Sequence, residues 1–311
     1  MQFSVYQESR IGARKVNQDR MGYIFTRDAL LMLLADGMGG HIRGEMAATI
    51  AMQTIGTMFQ QQATPTIKRP ERFLEDCFYA AHREIHRYTE LHKLPETPRT
   101  TIVACLIQHN EAIWAHCGDS RLYWIRKGQV LTRTQDHSRI ATLISQGKIA
   151  PNERDSHPER HKLFNCLGSS NAPIVETSRK ATMMPGDILF LCTDGLWSVI
   201  PDNQIAKKFV DTTIVRAVPE LLNKAISTAG INSDNATALA VMWLGTNSLM
   251  DDSTISTNTL QIGEVTSVIQ TEPQEATGTS GGTVDDQEIE KAIEEIRNAI
   301  YQSNKITFPK E

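Results

Sequence analysis

Four aspartates constrain the fold of this chain more than any other feature. Asp36, Asp119, Asp194 and Asp234 each close or adjoin an apolar run and stand beside glycine or asparagine. The flanking text reads LLMLLADGMGG, AIWAHCGDSR, DILFLCTDGLW and NSDNATALAVMW, which puts each carboxylate where a buried strand meets a tight turn. One Asp-Gly pair is a commonplace turn, but four acidic strand ends in one chain are not. Carboxylates gathered at strand ends repel one another and are costly to desolvate unless cations neutralise them, so the pattern asks for a divalent metal. Hard oxygen ligands with no obvious His/Cys cluster select Mg²⁺ or Mn²⁺ over zinc. Gly37, lacking a Cβ, lets the backbone approach a cation closely enough for its carbonyl to serve as a ligand.

Around these ends the chain reads as short strands at 3–7, 21–26, 30–35, 101–108, 111–117, 121–126, 187–193 and 236–244, with RLYWIRKGQVLTRT as a hairpin about a KGQ turn. Apolar spacings of three and four predict amphipathic helices over 44–62 and 70–91, and a second pair over 202–210 and 214–229. Strand group, helix pair, strand group, helix pair, strand is the order of antiparallel sheets covered by helices, not of a βαβ repeat. Residues 138–176 are polar, His-rich and interrupted by Pro151, Pro158 and Pro173, and read as a surface insertion with one helix at 138–146.

Composition changes after Gly245. Residues 246–283 hold five acidic and no basic residues, with no aromatic, and read as a flexible Thr/Ser/Gly-rich linker. Residues 284–304 regain periodicity as an amphipathic helix carrying Ile289, Ile293, Ile296 and Ile300 on one stripe, to be buried on the body, in a partner or by self-association. With −5 in the linker and −3 beyond it, a total of −4 leaves residues 1–245 at +4, which suits an anionic substrate and is too weak to argue for nucleic acid. Five scattered cysteines without a CxxC pair predict reduced thiols in a cytoplasmic protein, and no run is long and apolar enough for a membrane span.

In chain order the motifs RKVNQD (14–19), LLADGMGGHIRGE (33–45), CGDSRLY (117–123), DHS (136–138), HP (157–158) with LG (167–168), LFLCTDGLW (189–197) and DNATALAV (234–241) resemble the metal-dependent serine/threonine protein phosphatases of the PPM type, the type 2C family, in a bacterial form. The resemblance covers residues 1–245. It implies an α+β fold, a β-sandwich of two antiparallel sheets flanked by antiparallel helix pairs, with 138–176 as a flap. It implies two ions, with a third as in bacterial members, in a cleft at one end of the sandwich. Asp36 would bridge two ions, the Gly37 carbonyl would bind one of them, and Asp194 and Asp234 would hold the other. Asp119 with Asp194 would hold the third, and Asp19 would act through a metal-bound water. Arg14 would grip a phosphate dianion by two parallel hydrogen bonds, and a water bridging the two metals would attack phosphorus in line.

Two positions depart from the family pattern. Met38 stands where animal members carry a histidine after Asp-Gly, leaving His41 as either general acid or helix cap; Gln18 stands where some relatives place a metal-binding glutamate. His82 and His86, one helical turn apart, read as a solvated pair rather than a zinc site, since HREIH is not HExxH; His157 and His161 read as loop-packing residues. No GxxxxGK[ST] loop supports nucleotide-dependent transfer. The functional expectation is hydrolysis of phosphoserine and phosphothreonine in proteins, opposing a Ser/Thr kinase. The alternatives are a phosphatase-like scaffold that recruits a partner through its C-terminal helix, or a small-molecule phosphomonoesterase.

Overall fold

The run ALLMLLAD forms strand β3, Ala29–Asp36, buried along its whole length until Asp36. Burial without alternation means that both faces of the strand are covered. In the computed structural model, which describes residues 1–38, 43–150, 153–154, 157–160 and 162–246, the covers are a second sheet on one face and helices on the other.

One sheet runs β1 (Gln2–Arg10), β11 (Ala236–Gly245), β10 (Ile188–Cys192), β6 (Arg121–Arg126), β7 (Gln129–Arg133). The other runs β2 (Asp19–Phe25), β3, β4 (Ile102–Gln108), β5 (Glu111–Cys117), β8 (Glu176–Thr177), with β9 (Ala181–Thr182) also on β5. Every pairing is antiparallel. Leu30, Met32 and Leu34 meet Leu189, Leu191, Leu239, Val241 and Trp243 in the core between the sheets. Alternate residues of β10 and β11 face the other way, where Phe190, Cys192, Ala238 and Ala240 join Trp197, Phe209, Val218 and Leu222 from the helices. Truncating a core side chain such as Leu34 to alanine costs about 2–5 kcal/mol.

Helices α1 (Gly44–Gln62) and α2 (Pro70–Leu91) cover the second sheet, while α5 (Asp202–Lys208) and α6 (Ile214–Ala229) cover the first. Pro70 opens α2, where its missing N–H loses no hydrogen bond. The four-layer α+β sandwich that the family resemblance implies is therefore present.

Three local features differ from expectation. TDGLW is not simply a strand end running into a turn, because Asp194–Trp197 forms a one-turn helix, α4. The insertion carries helix α3 (Arg139–Ser145), capped by the Ser138 hydroxyl accepting from the Ala141 N–H at 3.3 Å, but it is not all surface: Ile140, Asn165, Cys166 and Leu167 are buried. The two-residue strands β8 and β9 are too short to leave a periodic trace. All five cysteines are free and buried. Among the described residues no helix is long and apolar enough to cross a membrane. His41, His161, and the linker and helix expected over 246–283 and 284–304 lie outside the described residues, save Thr246.

Candidate metal centre

Five aspartates from separate strand ends meet at one end of the sandwich. Asp19 opens β2, Asp36 closes β3, and the two are register partners. The Asp36 backbone is pinned: its carbonyl accepts from the Thr101 N–H at 2.9 Å and the Thr100 hydroxyl at 2.8 Å, and its N–H donates to Thr101 Oγ1 at 3.2 Å. A Cβ on Gly37 would lie 2.5 Å from the Gly44 carbonyl and 2.7 Å from the Gln18 oxygen, so only glycine lets α1 begin against this turn. Asp194 opens α4, and a Cβ on Gly195 would lie 2.0 Å from the Asn235 carbonyl, seating α4 on the residue after Asp234. Asp119 sits between β5 and β6, its carbonyl accepting from the Trp197 indole N–H at 2.9 Å.

The electrostatics follow from this packing. Burial raises the Asp36 carboxyl well above the usual carboxylate range, and Asp19, Asp194, Asp119 and Asp234 push it further in the same direction. Asp194 is raised likewise, by burial first and then by Asp119, Asp234 and Asp19. Burial lifts Asp119 to about 7, with Asp136 adding to the rise and Arg121 and Arg154 opposing it. Burial lifts Asp19 to about 6 against the hydroxyls of Thr237 and Thr193, the latter donating to Oδ2 at 3.0 Å. Its other oxygen, Oδ1, is buried with no hydrogen-bond partner, and an unmatched acceptor of this kind costs about 1–3 kcal/mol. Arg14, on the loop between β1 and β2, donates from Nη2 to Asp234 Oδ2 at 2.7 Å, and that bond is the main reason its guanidinium is raised. Mutually repelling carboxylates, an orphaned carboxylate oxygen and a backbone approach that excludes any side chain fit a divalent cation with oxygen ligands.

A neighbouring cluster was not foreseen. Arg121 grips Asp136 through Nε at 2.7 Å and Nη2 at 2.8 Å, and Arg154 of the insertion bonds the same carboxylate. Both guanidinium groups lie over the Trp197 ring, at 3.6 Å and 4.5 Å from its centroid. Burial would raise Asp136, but the bonds and charges of Arg121 and Arg154 outweigh it and hold the carboxyl at about 2. Arg121 and Asp136 stand inside the CGDSRLY and DHS motifs, yet nothing in either string pairs residues so far apart in the chain.

His82 and His86 are not a solvated pair: the Gly168 N–H donates to His82 Nδ1 at 3.2 Å, and His86 Nε2 lies 2.9 Å from the Ser169 carbonyl, so both hold the turn after Leu167. Burial, with His86 and Arg83 adding to it, lowers His82 to about 4. His157 packs within its own loop, accepting from the Glu159 N–H at 3.1 Å. The Gln18 amide donates to Glu45 at the start of α1 at 3.1 Å.

Comparisons with known proteins agree with this architecture. The pattern of the family described as Protein phosphatase 2C matches residues 6–229. The serine/threonine phosphatase stp of Listeria monocytogenes serotype 4b is 28% identical over 239 residues, spanning 76% of this chain and 94% of that protein. The solved serine/threonine phosphatase of S. agalactiae superposes with a TM-score of 0.70 at 26% identity, covering 78% of this chain and 99% of that one. The catalytic domain of the phosphatase PstP, solved in complex with two manganese ions, superposes with a TM-score of 0.65 at 26% identity over 78% of this chain and 99% of its own. By a match extending over most of its length, this chain belongs to the protein phosphatase 2C family.

Proposed function

We propose that the protein is a metal-dependent phosphatase that hydrolyses phosphoserine and phosphothreonine esters in proteins, reversing the action of a Ser/Thr kinase. The observation that carries the reading is the convergence of Asp19, Asp36, Asp119, Asp194 and Asp234, whose charges oppose one another in a buried end of the sandwich with Arg14 at its rim.

Asp36, the Gly37 carbonyl, Asp194 and Asp234 are the residues to hold two ions, Asp119 with Asp194 those to hold a third, and Asp19 the one to orient a coordinated water. Bound Mn²⁺ or Mg²⁺ would supply Lewis acidity to water and to the phosphoryl oxygens. The protein's own residues do the rest. Arg14 holds one N–H on Asp234 while most of its side chain stays exposed, leaving further donors for a phosphate dianion. The bonds from Thr100 and Thr101 fix Asp36, so its carboxylate needs little reorganisation when charge develops. A leaving alkoxide needs a proton, for which His41 is the candidate donor, with capping of α1 as its alternative role. Residues 1–245 form the catalytic unit in this reading, and the helix expected over 284–304 either docks on it or binds a partner.

The test is direct. Purified protein should hydrolyse a phosphothreonine peptide with added Mn²⁺ and stop on chelation, and Asp194→Asn should abolish turnover. Turnover that persists after chelation would remove the metal from the reading.

A further inference from the structure

Arg14 lies on a loop, residues 11–18, that joins β1 to β2 without regular structure. A guanidinium on such a loop has no intrinsic reason to stay in one place, since each unfixed residue costs entropy to order. The loop is nevertheless held from below at three of its residues by a single side chain, that of Asn235. The Asn235 carboxamide donates to the Ile11 carbonyl at 2.8 Å and to the Val16 carbonyl at 3.1 Å, and its oxygen accepts from the Gln18 N–H at 2.9 Å. Both donors and the acceptor are therefore engaged, two of the bonds fall on either side of Arg14, and the side chain is buried.

The neighbouring backbone completes the seat. The Ala13 N–H donates to the Ser233 carbonyl at 3.1 Å, and Gly12, at φ +64°, lies so close that a Cβ there would stand 2.2 Å from the Asp234 oxygen. The Asn235 N–H also donates to Asp234 Oδ1 at 2.8 Å, while Arg14 bonds the other oxygen of that carboxylate.

We infer that Asn235 is the positioning residue of Arg14: its carboxamide clamps both flanks of the loop and sets the guanidinium against Asp234, in the orientation that receives phosphate. The inference rests on reading Arg14 as the phosphate-binding arginine. Asn235 itself touches neither substrate nor reacting atoms.

A double-variant cycle tests it. Wild type, Arg14→Ala, Asn235→Ala and the combination are compared, as full chains, in turnover of a phosphothreonine peptide at saturating Mn²⁺ and in inhibition by inorganic phosphate. Hydrogen exchange of the 11–18 amides is followed in metal-free protein. Asn235→Ala and Arg14→Ala should each raise KM and the phosphate inhibition constant by about tenfold, and the double variant should be no worse than Arg14→Ala alone. Exchange over 11–18 should quicken in Asn235→Ala and not in Arg14→Ala.

Losses that multiply in the double variant overturn the inference, as does Asn235→Ala with unchanged phosphate inhibition. Asn235→Asp keeps the acceptor for Gln18 and loses both donors, so it should follow Asn235→Ala, and it replaces that variant in the cycle if the alanine protein does not fold. An Arg14→Ala protein with wild-type phosphate inhibition would instead remove Arg14 from the proposed function. In that case loop exchange still decides whether Asn235 holds the segment.

Discussion

Asp119 and Asp136 are buried to nearly the same degree, 8% and 7% exposed, yet burial takes one carboxyl to about 7 while the other is held at about 2. What separates them is partnership. Asp136 is enclosed by Arg121 and Arg154, and the buried Asp187 is gripped in the same way by Arg126 through bonds of 2.6 and 2.8 Å. In the cluster around Asp36 the neighbours are other carboxylates, and Arg14 bonds Asp234 at the rim. The chain matches buried negative charge with its own arginines in two places and leaves it unmatched in a third. The unmatched charge answers to a cation drawn from solution.

Neutralising one carboxylate of each kind should separate them most sharply. Asp36→Asn is expected to lower phosphopeptide turnover by at least about a thousandfold at saturating Mn²⁺ while leaving the metal-free melting temperature unchanged or higher, because it removes a charge the fold opposes. A variant retaining turnover within about tenfold of wild type would break the comparison at its catalytic end. Asp136→Asn should do the reverse, costing about 3–5 kcal/mol in urea unfolding because it removes the buried charge that both guanidinium groups bond. A loss below about 1 kcal/mol would mean that the arginine cage is worth no more than a surface pair.

Acidity should then move the two regions in opposite senses. Asp19 at about 6 and Asp119 at about 7 stand above the ordinary aspartate value of about 3.9, so the folded metal-free protein holds more protons than the unfolded chain between those limits. Its stability should therefore fall as pH rises from about 4 through 7, and saturating Mn²⁺ should flatten the slope. Thermal melts with chelator and with Mn²⁺ at pH 5 and 7.5 read this directly, and equal slopes would count against a shared cation. Asp136, held at about 2, contributes stability that is complete above about 4 and lost as pH drops toward 2. A smaller effect belongs to Trp197→Phe, which removes the hydrogen bond to the Asp119 carbonyl and part of the ring under Arg121 and Arg154, and should cost about 1–3 kcal/mol in the same unfolding assay.

Much of this was legible from residues in a row. The burial of β3 follows from LLMLL, and helices 44–62 and 70–91 appear at the expected limits because their apolar spacing is helical throughout. Asp36, Asp119, Asp194 and Asp234 each announce themselves at the end of such a run. The unread part consists of pairs separated along the chain. Arg121 with Asp136 and Arg154, Asn235 with Ile11 and Val16, and His82 with Gly168 are joined by the meeting of strand ends and loops, which no local periodicity encodes. Asp194–Trp197 was missed for a different reason: one turn of helix is shorter than the period needed to recognise it.

The sealed thiols have a practical consequence. All five cysteines are buried, and burial raises Cys166 to about 11 and the other four well above the usual thiol value. A thiol held that far from ionisation is a poor nucleophile toward peroxide or alkylating reagents. The dephosphorylation proposed above rests on aspartate and asks nothing of sulfur. Iodoacetamide and dilute hydrogen peroxide should leave catalysis untouched, so this chain would keep working under oxidising conditions that silence phosphatases built around a reactive thiolate.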